Sequence, residues 1–347
     1  MLELQYRSML RCWYHSTRQK STTMSKKRTI DSFFPSASKK QRKVEEVGNQ
    51  KRVEDVQYSE HPTYPLPIPE LPRAIGLELG SLPAKPPRII NDRPELDLLY
   101  FQPYIPPRAS KELFEFLRAT LPFYRVEYDI KRGGIQTHIR TPRYTTVFGL
   151  DDTSRFDEHG NVVDVKTGVE VPPGAYARYA PRPVPKCLDD LRVACEAATD
   201  CSFNFCLVNY YASGADSIAF HSDDERFLDP DPAIASLSLG AQRDFLLKRK
   251  PVAPGAEDRD GKAPEAAQLK LPLASGDMIL MRGKTQANWL HSIPKRTGRN
   301  QMDGGRINIT FRRAMVKAGT DNYYNYNVGN GAMYLWDKAG KEMREYK

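Results

Sequence analysis

Residues 220–225 read FHSDDE, a histidine two residues before an aspartate, followed by two more acids. In an extended chain, side chains two residues apart share a face, roughly 6.6 Å apart along the backbone, which suits two ligands of one metal ion. An acidic surface turn produces the same string, so the pair needs a third member. Of the six histidines, His15 and His61 sit in the N-terminal quarter, and His138 and His159 have no acid at ligand spacing beyond Asp157. His291, inside the apolar stretch ANWLHSIP, remains. Two histidines and one carboxylate form a facial set that leaves three positions open on Fe(II) for a cosubstrate and dioxygen.

A second group lies on RINITFR, residues 306–312. In a strand, Ile307, Ile309 and Phe311 take one face and Arg306, Asn308, Thr310 and Arg312 the other. Two arginines on a buried face are costly without anionic partners. Their Cα atoms lie roughly 20 Å apart, which leaves room for a small diacid held by charge-assisted pairs. On a solvent-facing edge strand both would simply be wet. Asn209 and Tyr211 share a face in the run FNFCLVNYY and offer neutral hydrogen bonds to the same ligand.

These residues need a scaffold, and the patterning indicates its class. SKELFEFLRATL (110–121), with Ser110 as a candidate N-cap, and PKCLDDLRVACEAA (185–198) carry the helical period. Short strand-like runs follow: FNFCLVNYY (203–211), AIASLSLG (233–240), DFLLKRK (244–250), DMILMRG (277–283) and RINITFRR (306–313). Residues 251–268 separate two of them as a loop insertion. Helices followed by many short strands predict an α+β, mainly β chain with a sandwich or barrel flanked by helices.

The formal net charge of +9 belongs to one end of the chain. Residues 1–53 hold 13 Lys/Arg against 4 Asp/Glu, and the rest has 39 of each. The Pro- and Lys-rich stretch to residue 95, including PTYPLPIPELP (62–72), is expected to be a disordered basic arm and linker. Within it, KKQRK places Lys39, Lys40, Arg42 and Lys43 as a nuclear-import patch. KRTIDSFF (27–34) sets Ile30 ahead of Phe33 and Phe34 in polar surroundings, which suits anchors for a partner. Residues 1–23, rich in Arg and Ser, carry a mitochondrial-presequence pattern, and Met24 offers a second start. Five cysteines without a C-x-x-C pair argue for a reducing compartment and against a disulfide scaffold. No apolar run reaches the ~18 residues of a membrane span.

The ordered set N-x-Y, H-x-D, H and R-x5-R resembles the AlkB family of Fe(II)/2-oxoglutarate-dependent dioxygenases, most of all its eukaryotic nuclear DNA-repair members. The resemblance covers roughly residues 100–315, through FNFCLVNYYASGADSIAFHSDDERFLDPDPAIASLSLGAQRDF, LPLASGDMILM, HSIP and RINITFR. It implies a double-stranded β-helix (jelly-roll) core over residues 201–318. An N-terminal extension and nucleotide-recognition lid would occupy 96–200 and a C-terminal tail 319–347. Fe(II) would be held by His221, Asp223 and His291, with dioxygen and 2-oxoglutarate as cosubstrates. Asn209, Tyr211, Arg306 and Arg312 would contact 2-oxoglutarate. Asp224 and Glu225 match positions that face the base, and Arg140, Arg143, Tyr176 and Tyr179 are nominated for DNA or base contact.

The implied activity is oxidative demethylation of N1-methyladenine and N3-methylcytosine in single- or double-stranded DNA, releasing formaldehyde after the base is flipped out. Residues 27–34 resemble the sliding-clamp-binding box of replication and repair proteins, with Lys27 where glutamine is usual. A nuclear monomer without membrane contact is expected, with a mitochondrial form if residues 1–23 are translated. The same chemistry on RNA or protein stays open, as does a non-catalytic, metal-bound, clamp-associated binding module.

Overall fold

A computed structural model describes residues 56–82, 85–176, 179–251, 268–298, 302–329 and 331–347. The anchors Ile30, Phe33 and Phe34 and the basic patch Lys39, Lys40, Arg42 and Lys43 lie outside the described residues.

Three of the runs rich in apolar and β-branched residues form the centre of a ten-stranded sheet. Arg306–Arg312 lies between Phe205–Tyr211 and Ile234–Gly240, antiparallel to both. Asn308 is opposite Asn209 on one side and Ser238 on the other. With both edges paired, all seven residues of this strand are buried, so it is not a solvated edge strand. Outward from this centre the sheet continues through Tyr144–Gly149, Phe123–Tyr124, Met333–Asp337 and Glu342–Glu345 on one flank. Met278–Met281, Leu98–Phe101 and Arg88–Ile90 complete the other.

A four-stranded sheet supplies the second layer, ordered Ile218–His221, Trp289–Ile293, Arg243–Arg249, Leu269–Leu273. The two sheets form the expected jelly-roll core. Ile307, Ile309 and Phe311 fall in one hydrophobic cluster with Leu113, Leu117, Leu188 and Leu191 of the two long helices. The opposite face of the same strand turns toward the second sheet, where Phe245, Leu247, Leu271 and Leu273 pack. One strand thus serves an apolar core on one side and a polar cavity on the other, as period two allows.

The long helices run Pro107–Thr120 and Lys186–Thr199. The first begins three residues before Ser110, with proline at its first turn, where the missing N–H costs nothing. Ser110 is therefore no cap. It is buried in the helix and its hydroxyl donates to Pro107 O at 3.0 Å.

Two boundaries differ from expectation. The arm was expected to reach residue 95, yet Tyr58–Ser59 pairs with Ile68–Pro69, Arg73–Gly80 is a helix, and Arg88–Ile90 joins the large sheet. Proline-rich composition opposes helix formation but not the packing of an extended segment. Ile68, Ile75 and Leu79 are buried in the helix-side cluster, and Tyr64 donates to Pro183 O at 2.8 Å. At the other end, the stretch expected as a tail forms a helix, Asp321–Asn327, and the hairpin Met333–Asp337/Glu342–Glu345. No helix of the described residues is long and apolar enough to cross a membrane.

Candidate active site

A cavity of about 560 Å³ opens between the inward faces of the two sheets. The large sheet contributes Leu207, Asn209, Tyr211, Asn308, Thr310 and Arg312, and the small one His221, Phe245 and His291. At its floor His221, Asp223 and His291 hold one ligand atom each within 4.8 Å of the others.

Strand pairing places the two histidines. His221 is the cross-strand partner of His291, and His291 is held on its other side opposite Leu247. The rings lie 4.2 Å apart. His221 Nδ1 contacts the Ala219 carbonyl at 2.9 Å. A proton donated there leaves Nε2 with its lone pair toward Asp223, whose Oδ1 is 3.7 Å away. A bulge between Ile218 and His221 sets this register. The strand ends at His221, so strand alternation does not aim Asp223. Two other contacts do: its N–H donates to Gln286 Oε1 at 2.9 Å, and Arg312 Nη2 donates to its Oδ2 at 2.8 Å.

The electrostatics prepare a metal site. Burial raises the cost of the Asp223 carboxylate, but Arg312, His291 and His221 outweigh it and hold the group below the usual carboxylate range. Burial, and next the neighbouring His221, pushes His291 down to about 3, so its imidazole stays neutral. An anionic carboxylate and a neutral imidazole are the protonation states a metal requires. Two nitrogen donors and one oxygen within 4.8 Å of one another fit Fe(II) with open positions.

The two arginines behave differently. Arg312 is saturated on one side by Asp223 and by Thr310 Oγ1 at 2.7 Å, so in this structure it orients the carboxylate. Arg306 is buried, with Nη2 on Ser238 Oγ at 2.8 Å, while Nε and Nη1 have no partner among the described residues. No carboxylate pairs with Arg306 among the described residues, and burial pushes its guanidinium down to about 10. Arg306 is not itself on the cavity wall; it lies 5.4 Å from the ring of Tyr211, which is. Orphaned buried donors call for an anion, and a carboxylate of 2-oxoglutarate reaching past Tyr211 fits that demand.

Asn209 lines the cavity with its Oδ1 taken by Arg143 Nε at 2.8 Å. That leaves its amide N–H groups for a ligand.

The base-facing nominations divide. Glu225 lines the cavity, its Oε2 is buried without a partner among the described residues, and burial followed by Asp223 lifts its carboxyl to about 7. Asp224 does not line it; the carboxylate turns to Lys250 and Ser222, at 3.0 and 2.9 Å. Past the strand end, neighbouring acids are free to diverge. Arg143 lines the cavity, whereas Arg140 is paired with Glu127 at 2.7 Å on an exposed hairpin. Tyr176 donates to Asp151 at 3.1 Å and Tyr179 packs against the inner hydrophobic cluster, both off the cavity wall. Sequence reasoning missed Tyr128, Ile139, Tyr323, Tyr326 and Asn327, which also line the cavity. The lone signal for the last three is an aromatic cluster, DNYYNYN, in an otherwise polar C-terminal stretch.

A family model described as the 2OG-Fe(II) oxygenase superfamily matches residues 97–312. The DNA oxidative demethylase ALKBH2 of Arabidopsis thaliana is 32% identical over 227 residues, 62% of this chain and 66% of that protein. Its human namesake is 38% identical over 139 residues, covering 40% of this chain and 49% of the relative. The alpha-ketoglutarate-dependent dioxygenase alkB homolog 3 of Mus musculus is 40% identical over 143 residues, 40% of this chain and 48% of the relative. The chain thus matches about half to two thirds of the length of these relatives. The family carries Fe(II), 2-oxoglutarate and dioxygen, for which the donors on the cavity floor are suited. Because the match spans residues 97–312, with His221, Asp223, His291 and Arg312 inside it, the chain belongs to the 2OG-Fe(II) oxygenase superfamily and, by its demethylase relatives, to the AlkB family.

Proposed function

We propose that this protein repairs DNA by oxidative demethylation of N1-methyladenine and N3-methylcytosine, with release of formaldehyde. The observation that carries the reading is the His221–Asp223–His291 cluster, with Asp223 and His291 buried, at the floor of a cavity wide enough for a base. The names of the demethylase relatives support DNA as the substrate.

His221, Asp223 and His291 would hold Fe(II). Arg306 would take the distal carboxylate of 2-oxoglutarate, with Tyr211 and the amide of Asn209 adding neutral hydrogen bonds. Fe(II) with 2-oxoglutarate and dioxygen supplies hydroxylation of the N-methyl carbon, yielding succinate and carbon dioxide; the hydroxymethyl group then leaves as formaldehyde.

The chain's residues do the positioning. Arg312 fixes Asp223 through Oδ2, and Gln286 fixes its backbone. The Asn209–Arg143 hydrogen bond joins the cosubstrate side of the cavity to the loop ahead of the strand Tyr144–Gly149. Glu225 lines the cavity, and both lesions carry an exocyclic amino group that would donate to a carboxyl oxygen there. Phe245 and Met281 line the apolar part of the wall and exclude water from the reacting carbon.

The test is incubation with Fe(II), 2-oxoglutarate and methylated oligonucleotides, single-stranded and duplex, DNA and RNA, scoring formaldehyde and restored bases. Turnover of DNA is expected, and no turnover on any nucleic acid sinks the reading. The arm at residues 27–34 is proposed as a sliding-clamp tether, and the basic patch at 39–43 as an address to the nucleus. Replacing Phe33 and Phe34 by alanine should abolish clamp capture in a pull-down, and a nuclear reporter fusion should become diffuse when the patch is neutralised. Unchanged capture or unchanged location removes the corresponding role.

A further inference from the structure

The ladder that sets His221 opposite His291 is short and irregular. Ile218 pairs with Ile293 and His221 with His291, so three steps along one strand answer two along the other. A bulge interrupts ladder hydrogen bonding, and a slip of one residue turns a side chain to the opposite face. Backbone pairing alone therefore holds this register weakly.

Arg243, the first residue of the strand Arg243–Arg249, closes the end of that ladder with a fully buried side chain. Its Nη2 donates to Asp216 O at 2.8 Å and to Pro294 O at 2.6 Å. Asp216 lies two residues before Ile218, and Pro294 directly follows Ile293. One nitrogen thus bridges the two chains just past the Ile218–Ile293 pair. Nη1 donates to Ser213 O at 3.3 Å, in the turn that follows Phe205–Tyr211. The ion pair with Asp303 is long, at 3.7 Å, so the guanidinium acts mainly on carbonyls. A buried charge is a poor source of stability, and its best-attested use is to fix a register. A methionine would fill much of the same space and bind none of the three carbonyls.

We propose that Arg243 is a positioning residue for the metal site. It fastens the strands Ile218–His221 and Trp289–Ile293 to each other beyond the bulge, and so keeps His221 facing His291. Arg243 touches neither ligand and acts through the backbone. Its own strand continues along Trp289–Ile293 and places Leu247 opposite His291, so the histidine strand is held along its length and at its end. The inference rests on the iron site and is independent of which substrate the cavity takes.

The experiment uses the full chain and Co(II), which accepts the same nitrogen and oxygen donors as Fe(II) and reports their geometry in its visible absorption. Titrations are run well below the melting temperature of each variant, without nucleic acid. Arg243→Met is expected to weaken Co(II) binding about tenfold and to alter the absorption of the bound ion. Arg243→Lys should lose several-fold, because one ammonium on a flexible stem lacks the planar fork that holds the carbonyls in place. Leu188→Ala, in the helix-side cluster away from the clamp, lowers the melting temperature and should bind Co(II) as the wild type does. Wild-type affinity and absorption in Arg243→Met overturn the proposal, and so does an equal loss in Leu188→Ala, which would trace the effect to stability. Should Arg243→Met fail to fold, Arg243→Lys decides, with wild-type binding overturning the proposal. A wild-type protein that leaves Co(II) unbound removes the metal site and this inference together. Failure to demethylate DNA would remove the proposed function and leave the Co(II) result standing.

Discussion

On the strand Arg306–Arg312 every residue is buried and Arg312 is locked to Asp223 at 2.8 Å, whereas the hairpin strand Ile135–Arg140 is exposed nearly throughout. The hairpin is an antiparallel ladder whose side chains pair at the surface, Glu127 with Arg140 at 2.7 Å and His138 with Asp129 at 2.9 Å. Both regions bear charge beside the same cavity, but charge means different things in each. In the buried strand a lone guanidinium costs several kcal/mol unless an anion meets it, so its partners are obligatory and a missing one signals a ligand. On the hairpin an ion pair is worth about 0–1 kcal/mol, so the arginine can exchange its carboxylate for a phosphate at little cost.

The largest effect should come from the floor. Asp223→Ala is expected to reduce formaldehyde release to background and to destabilise the fold by roughly 3–5 kcal/mol, because Arg312 is left as a buried unpaired charge. Residual turnover above a few per cent of wild type in a single-turnover assay would contradict the ligand role.

Arg306→Met sharpens the contrast. It should raise the KM for 2-oxoglutarate by about two orders of magnitude. In denaturant melts without ligand it should stabilise the protein by roughly 1–4 kcal/mol, since the orphaned donors disappear. A less stable variant would mean that Arg306 already has its partner in the free protein.

Arg140→Ala tests the rim. Stability should change by less than about 1 kcal/mol, while the slope of log K against log salt for oligonucleotide binding falls by about 1. An unchanged slope assigns Arg140 to the hairpin alone.

The smallest effect concerns pH. Hydrogen bonds to Asp129 and then Glu127 raise the pKa of His138 above its usual 6.5. A raised folded-state pKa gives a stabilising contribution that is complete below 6.5 and fades as pH rises through the folded value. Titration by NMR should show His138 above 6.5, and Asp129→Asn should bring it down. A His138 that titrates at or below 6.5 in the wild type breaks the pairing.

The same contrast explains what the sequence disclosed. Phe205–Tyr211, Ile234–Gly240 and Arg306–Arg312 were legible within two residues at their ends because alternation and β-branching carry the strand signal. His221 and His291 followed, since each sits on a strand whose face is fixed by its neighbours. Asp223 lies past the strand end, and its aim depends on Gln286 of a four-residue helix distant in sequence. Without that knowledge Asp224 and Glu225 look equivalent, although only Glu225 reaches the cavity. Segment 56–95 was misread because its elements are too short for a periodic trace: Ile68 sits on a two-residue strand, and the eight-residue helix buries only Ile75 and Leu79. The cluster DNYYNYN showed aromatic residues but not their placement, because Tyr323 and Tyr326 reach the cavity wall only once their helix is docked.

The C-terminal hairpin has a practical consequence for anyone shortening this chain. Met333–Asp337 pairs with Phe123–Tyr124, and Trp336 covers the guanidinium of Arg118 at 3.9 Å. A chain cut at Arg312, where the family match ends, would uncover the free edge of Phe123–Tyr124 together with the ring of Tyr144, which Tyr334 packs against at 5.2 Å. Unprotected strand edges beside apolar rings recruit other chains. A boundary drawn from similarity alone would therefore give a protein that self-associates, and the workable cut lies on the other side, ahead of Tyr58.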